Sequence, residues 1–357
     1  MKKRIGLLTS GGDCPGLNAA IRGVAKASYG MFDCELVGIE DGFKGLINGQ
    51  YKEMTERDFS GILTRGGTIL GTSRTPFKQM RLIEEDGVDK VKNMVETYQK
   101  LNLDCLITLG GNGTHKNANL LKQEGLNIIA LPKTIDNDIW GTDVTFGFHS
   151  AVDIATEAID RVHTTADSHD RVMLVELMGH KVGWLTLYAG IAGGADVILI
   201  PEIPYNEEII IEALENRRKS GKNFSILAVA EGALSENEAK MSKKDLKRFR
   251  ELSPNYTVSY KLANFITGKT GFETRVTVPG HQQRGGSPSP YDRLLATTIG
   301  AYAAEMIAEG EYGYTVSMVN NKPLARPLEE VAGKTRAVDP EDELIEIAKR
   351  IGVSFGN

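Results

Sequence analysis

Two carboxylates stand two residues apart in Pro132-Lys133-Thr134-Ile135-Asp136-Asn137-Asp138, with a cation and a hydroxyl just ahead of them. One carboxylate can take a proton while the other holds a metal ion, which is the equipment for moving a phosphoryl group onto an alcohol. The segment follows the apolar run Asn127 to Leu131, which reads as a buried strand. Open α/β sheets place their chemistry just past the carboxyl ends of their strands.

Two Gly-rich junctions supply places for phosphate. A strand over Ile5 to Leu8 leads into Thr9-Ser-Gly-Gly-Asp-Cys-Pro-Gly16 and then a helical pattern through Arg22. A second strand, Leu106 to Leu109, leads into Gly110-Gly-Asn-Gly-Thr114 and a helix through Ala118 and Leu121. Glycine there lets backbone N–H groups approach an anion, and the helix N-terminus adds a favourable dipole. Such junctions also occur in folds that bind nothing, but a pair of them with an aspartate segment on the next strand is harder to attribute to chance.

The elements around these loops set the frame. The chain has 357 residues, 41% of them apolar, enough for one large α/β unit or two domains. Its 42 basic and 47 acidic residues give a net charge of −5, which argues against a nucleic-acid binder. An anionic ligand must therefore be met by local arginines. No apolar run reaches the ~18 residues of a membrane span. The start, Met1-Lys2-Lys3-Arg4, has no signal-peptide core, and three scattered cysteines suit neither a disulfide frame nor a zinc site. The expected setting is the cytoplasm.

Strands and helices alternate, the sign of mainly parallel sheets. Helices are expected over Val152–Arg161, Trp184–Ala192, Glu207–Arg218, Thr257–Thr267, Tyr291–Ile307 and Glu341–Arg350. Strands are expected over Val172–Val175, Val197–Ile200, Ser225–Val229 and Thr274–Val278. Ser235–Arg250 reads as a charged surface segment and the stretch from Pro323 as a linker before the last helix. Gly268-Lys-Thr270 and Gly333-Lys-Thr335 imitate the end of a P-loop, but lack its earlier glycine and its place after a strand; both read as surface turns. The first loop also lacks the dinucleotide fingerprint, which disfavours a dehydrogenase.

Taken together, the chain resembles the 6-phosphofructokinase family from Ile5 to about Ala304. The resemblance rests on Thr9–Gly16, Gly66-Gly-Thr-Ile-Leu-Gly-Thr-Ser-Arg74, Gly110–Thr114, Pro132–Asp138, Met178-Gly179 and Gly280-His-Gln-Gln-Arg-Gly-Gly-Ser-Pro288, in the family's order. It implies an α/β fold of two similar Rossmann-like three-layer domains with the active site in the cleft between them. The nucleotide domain would comprise residues 1–148 plus about 282–322, and the sugar-phosphate domain 149–281 plus about 323–357. It implies an ATP-dependent glycolytic kinase acting on fructose 6-phosphate with Mg²⁺, built as a homodimer or homotetramer. Asp136 matches the general base, Thr134 a contact to the transferring phosphate or 1-hydroxyl, and Asp138 a magnesium-linked carboxylate. Gly12, Gly111, Asn112, Gly113 and Thr114 match the nucleotide cradle, and Arg74 an arginine between the two substrates. Met178, Gly179, His180 and Glu231 match sugar contacts, and His281 and Arg284 match grips on the 6-phosphate. Arg171 and Arg275 match arginines that reach that phosphate from a neighbouring subunit.

Three positions depart from the common pattern. Asn112 replaces an aspartate and brings no charge to a metal. His180 stands where arginine is common, which would weaken that contact or make it pH-dependent. Lys133 is usual in pyrophosphate-dependent members, whereas Gly113 is the choice of the ATP-dependent ones, and the two together resemble an ATP-using branch of the family. Pyrophosphate is thus the alternative donor, and a non-catalytic sugar-phosphate or nucleotide sensor is the alternative of another class. Gly113 favours ATP, because a side chain there would project into the space the α-phosphate needs.

Overall fold

A parallel strand buried on both faces needs a layer of helices on each. The computed structural model describes residues 2–85, 87–254 and 257–357; Met1, Asp86, Asn255 and Tyr256 lie outside them. Packing divides the chain into two units, Met1–Ser150 with Arg284–Arg336, and Ala151–Gln283 with Ala337–Asn357.

The first unit holds β1 (Lys3–Thr9), β2 (Cys34–Ile39), β3 (Tyr51–Met54), β4 (Cys105–Gly110) and β5 (Ile128–Pro132). Counting strands along the whole chain, it also holds the last two, β10 (Tyr314–Val319) and β11 (Lys322–Pro327). Their order is β11-β10-β5-β4-β1-β2-β3. The five central strands are parallel, and β3 and β11 close the edges antiparallel. Alternate residues of each strand enter opposite layers. Ile5, Leu7, Ile107, Leu109, Ile129 and Leu131 pack with the helices Leu17–Met31 and Pro290–Glu309. Leu8, Leu106, Ile128 and Ala130 pack with the helices Lys90–Lys100 and Asn112–Gln123.

The second unit holds β6 (Val172–Leu177), β7 (Val197–Leu199), β8 (Ser225–Ala230) and β9 (Thr274–Thr277), all parallel, in the order β7-β8-β6-β9. Val172, Leu174, Leu227 and Val229 pack with the helices Glu207–Lys219 and Val258–Thr270. Among the described residues, no helix is long and apolar enough to cross a membrane.

Several expectations are corrected. The stretch from Pro323 is not a linker: Lys322–Pro327 pairs with β10 and extends the first sheet. Strands β2, β3 and β10 carry no mark in the sequence reading. Gly268–Thr270 is the last turn of the helix Val258–Thr270 rather than a surface turn. The helix expected over Val152–Arg161 runs the longer course Phe148–His169. The charged segment after Ser235 contains a helix, Lys243–Leu252, with no buried residue, but also Glu238, which is buried.

The helices Leu17–Met31 and Pro290–Glu309 cross at two glycines. A Cβ on Gly300 would lie 2.5 Å from Ala20 O and 2.8 Å from Val24 N, and one on Gly23 would lie 2.8 Å from Thr297 O. This close approach seats the helix that follows the first Gly-rich loop. Gly300→Ala should therefore cost about 1–3 kcal/mol by overpacking. The check is thermal unfolding, and a midpoint equal to that of the wild type would contradict the packing account.

Candidate active site

In the first sheet the chain leaves β1 toward β2 on one side, while β4 leads to β5 on the other. The point between β1 and β4 is a topological switch, where the loops leaving the two strands part and open a crevice. Both Gly-rich loops lie there. Gly11 has φ +85°, its N–H donates to Ser73 O at 3.0 Å and its carbonyl accepts from Thr72 Oγ1 at 2.8 Å. Those two bonds lay the segment that carries Arg74, which is exposed, along the first loop. The helices Leu17–Met31 and Asn112–Gln123 begin at Gly16 and Gly111, and neither start has a side-chain cap. An uncapped start keeps its N–H groups for an anion.

Two cations flank the first loop. Lys133 is 3% exposed and its Nζ donates to Gly12 O. Burial holds its ammonium below the usual lysine range, and the Arg284 guanidinium adds to the effect. Arg284 Nη1 donates to Asp13 O at 3.3 Å, and a Cβ on Gly12 would overlap the Arg284 guanidinium. The structure thus places Arg284, which the resemblance links to the sugar 6-phosphate, against the loop of Gly12. Gly111 and Thr114 sit in the second loop beside Gly110, where a Cβ would overlap the Thr114 side chain. A Cβ on Gly113 would meet nothing within 4 Å.

The aspartate segment is a turn pinned from within. Thr134 Oγ1 accepts from Asp136 N–H at 3.0 Å, and Thr134 O accepts from Thr145 Oγ1 at 2.8 Å. Asn137, at φ +54°, is buried, and its Oδ1 accepts from Thr145 N–H at 3.0 Å. Asparagine tolerates the left-handed region better than most residues. It turns the chain between Asp136 and Asp138. Burial pushes the Asp138 carboxyl up to about 6, and the Asp136 carboxylate adds to the effect. A divalent cation would favour the ionised form of Asp138 over the protonated one, so this residue suits a metal. Among the described residues, no cluster of three or more His, Cys, Asp or Glu side chains could hold an ion. A metal here would depend on phosphate oxygens and water for most of its ligands, the usual habit of Mg²⁺.

Two features of the second loop have no counterpart in the sequence reading. Asn112, expected near a metal, instead spends its amide on a distant turn: Nδ2 donates to Lys334 O at 2.6 Å and Oδ1 accepts from Gly333 N–H at 3.2 Å. His115 is buried under the loop, with Nδ1 3.0 Å from Gly111 O and Nε2 2.9 Å from Thr315 Oγ1. A carbonyl only accepts, so Nδ1 carries the proton and props the start of the helix.

In the second unit, Met178 and Gly179 follow β6, Glu231 follows β8, and His281 follows β9, all beyond the carboxyl ends of adjacent strands. Met178 N–H donates to Oε1 of the buried Gln283 at 3.2 Å. His180, at φ +53°, uses its backbone: its N–H donates to Glu231 Oε1 at 2.9 Å, while its side chain is exposed. Arg171 precedes β6 and Arg275 lies at the start of β9, so both stand at the amino ends of the same sheet. Across the six residues of β6, Arg171 stands roughly 20 Å from Met178, and Arg275 pairs level with Met173 toward the same end. They share one carboxylate: Glu273 Oε1 is 2.8 Å from Arg171 Nη2 and 2.5 Å from Arg275 Nη2.

Residues 4–307 match the family model described as Phosphofructokinase. The chain is 59% identical to the ATP-dependent 6-phosphofructokinase of Spirochaeta thermophila, over 99% of this chain and 98% of that one. It is 48% identical to ATP-dependent 6-phosphofructokinase 3 of Bacteroides thetaiotaomicron, over 99% and 100% of the two chains. The crystal structure of Pichia pastoris phosphofructokinase in the T-state is similar with a TM-score of 0.80 at 32% identity, covering 93% of this chain and 35% of that longer one.

The buried His115 makes stability depend on pH. Burial lowers its imidazole to about 4 from 6.5, so the unfolded chain binds the proton first as pH falls. The contribution is complete above the unfolded value and is lost between roughly pH 6.5 and 4, on the order of 3 kcal/mol. Denaturant unfolding across that window should show the wild type losing more stability than His115→Gln. Parallel curves for the two proteins would contradict the assignment.

Proposed function

The chain belongs to the phosphofructokinase family, and from that premise we infer that it transfers the γ-phosphoryl group of ATP to the 1-hydroxyl of fructose 6-phosphate. The observation that carries the reading is the switch point of the first sheet. Two uncapped helix starts, a buried lysine and a pinned pair of aspartates meet on neighbouring strands there.

The loops of Gly12 and Gly111–Thr114 hold the nucleotide phosphates by backbone N–H groups. Asp136 accepts the proton of the sugar hydroxyl as its oxygen attacks the γ-phosphorus. Thr134 takes the Asp136 N–H on its oxygen and keeps its own proton for the oxygen in transit. Lys133, Arg284 and Arg74 bring positive charge to the transferring group, and the buried Lys133 acts there in a low dielectric. Asp138 would hold Mg²⁺ together with phosphate oxygens and water, and the ion would supply neutralisation of charge on the phosphates. Asn112 has no part in that set, because its carboxamide is engaged elsewhere.

On the sugar side, Glu231 accepts from the sugar hydroxyls, Met178 and Gly179 line the ring, and His281 meets the 6-phosphate. His180 contributes by orienting Glu231 through its backbone. Arg171 and Arg275 stand at the wrong end of their sheet to serve the same ligand as Glu231 and His281. That polarity supports the reading that they bind the sugar phosphate of a neighbouring subunit in a dimer or tetramer. An exposed ion pair such as theirs with Glu273 is worth little, so a dianionic phosphate can displace it. The cytoplasm is the setting we propose, since Cys14, Cys34 and Cys105 are free and buried, as in a reducing compartment.

A coupled assay with ATP and with pyrophosphate tests the donor. ATP should be the working donor; faster turnover with pyrophosphate at equal concentration would overturn this. Gly113→Asp should fold normally, since the position is open, and should lower kcat/KM for ATP by about 3 kcal/mol or more, a hundredfold or greater loss. Asp136→Ser should lower kcat by several orders of magnitude with far less effect on substrate binding. Near-normal turnover would remove Asp136 from the mechanism.

A further inference from the structure

The turn Gly333-Lys334-Thr335 imitates a phosphate motif in sequence and has no part in the reaction above. It is nevertheless tied to the second Gly-rich loop and to the aspartate segment. Asn112 Nδ2 donates to Lys334 O at 2.6 Å and lies 3.5 Å from Thr335 Oγ1, while Oδ1 accepts from Gly333 N–H at 3.2 Å. The chain then runs antiparallel to the end of the aspartate segment. Thr335 pairs with Ile139, Arg336 N–H donates to Asp138 O at 2.9 Å, and Arg336 Nη1 donates to Asn137 O at 3.4 Å. Four residues thus join the first residue of the helix Asn112–Gln123 to the backbone of Asp138.

The chemistry of the joint requires a carboxamide. Asn112 must donate to one backbone group and accept from another, and a carboxylate can only accept. An aspartate would keep the Gly333 bond but turn an oxygen toward Lys334 O. Asparagine here is therefore not a weakened metal ligand. We propose that Asn112 is a positioning residue: by gripping Gly333–Thr335 it fixes the start of its helix in register with Asp138, and so preorganises the loop that receives the triphosphate. The inference rests on the reading of Gly110–Thr114 as the donor loop.

Asn112→Ala and Asn112→Asp separate the alternatives. The readouts are calorimetric titration of the full-length protein with ATP in the presence of Mg²⁺, the same titration with fructose 6-phosphate, and amide hydrogen exchange over 333–336. Both variants should bind ATP about tenfold more weakly, the loss expected for one or two hydrogen bonds. Both should keep the affinity for the sugar phosphate and exchange faster at Gly333 and Arg336. Tighter or unchanged ATP binding by Asn112→Asp would return the residue to the metal and overturn the proposal. So would unchanged exchange in Asn112→Ala, which decides the matter even if the aspartate variant does not fold. A merely structural role would lower affinity for both ligands alike and would also overturn it. Failure of the wild type to bind ATP would instead remove the kinase reading, and this inference with it.

Discussion

A parallel sheet has two unlike ends, and the placement of most candidate functional residues in this chain follows from that polarity. Loops that leave the carboxyl ends emerge at one edge, and those that enter the amino ends emerge at the other. In the first unit the Gly-rich loops, Lys133 and the aspartates all follow the carboxyl ends of β1, β4 and β5. In the second, Met178, Glu231 and His281 do the same after β6, β8 and β9, and Arg171 and Arg275 do not. The two arginines thus stand toward the opposite end of the sheet from the other three. The proposal of an oligomer therefore rests on sheet geometry rather than on any interface.

The second constraint is electrostatic. A chain of net charge −5 must bind two highly charged anions without help from its overall field. A cation placed where water is scarce would serve that need. Lys133 is buried beside Arg284, and burial opposes its charge. That arrangement is unfavourable by itself, and the same low dielectric would strengthen the attraction to a bound anion. Asp138 is the mirror case: its carboxyl is pushed up by burial and by Asp136, and a bound cation would relieve it.

The parts of the site that local chemistry dictates were legible in the sequence. Glycines at strand-to-helix turns, two spaced carboxylates and apolar strand runs announce themselves within a few residues. Long-range partners did not. Nothing near Asn112 in sequence hints that its amide would find Gly333 and Lys334, more than two hundred positions away. His180 could be read only as a side chain, whereas its positive φ makes the backbone N–H the useful group. Strand β11 escaped because Lys322, Pro323, Arg326 and Pro327 suit an edge, where one face meets water and prolines do no harm. Strands β2 and β10 escaped for lack of a flanking motif, although both are buried.

The claim that the site is completed across subunits is tested most directly by mixing two disabled proteins. Asp136→Ser lacks the base and Arg275→Ala lacks the phosphate ligand proposed to act in the neighbouring site. After dissociation and reassociation together, hybrids contain some sites that carry both defects and some that carry neither. The account predicts that the mixture regains activity that neither protein has alone. Hybrids demonstrated by mass that regain none would contradict it.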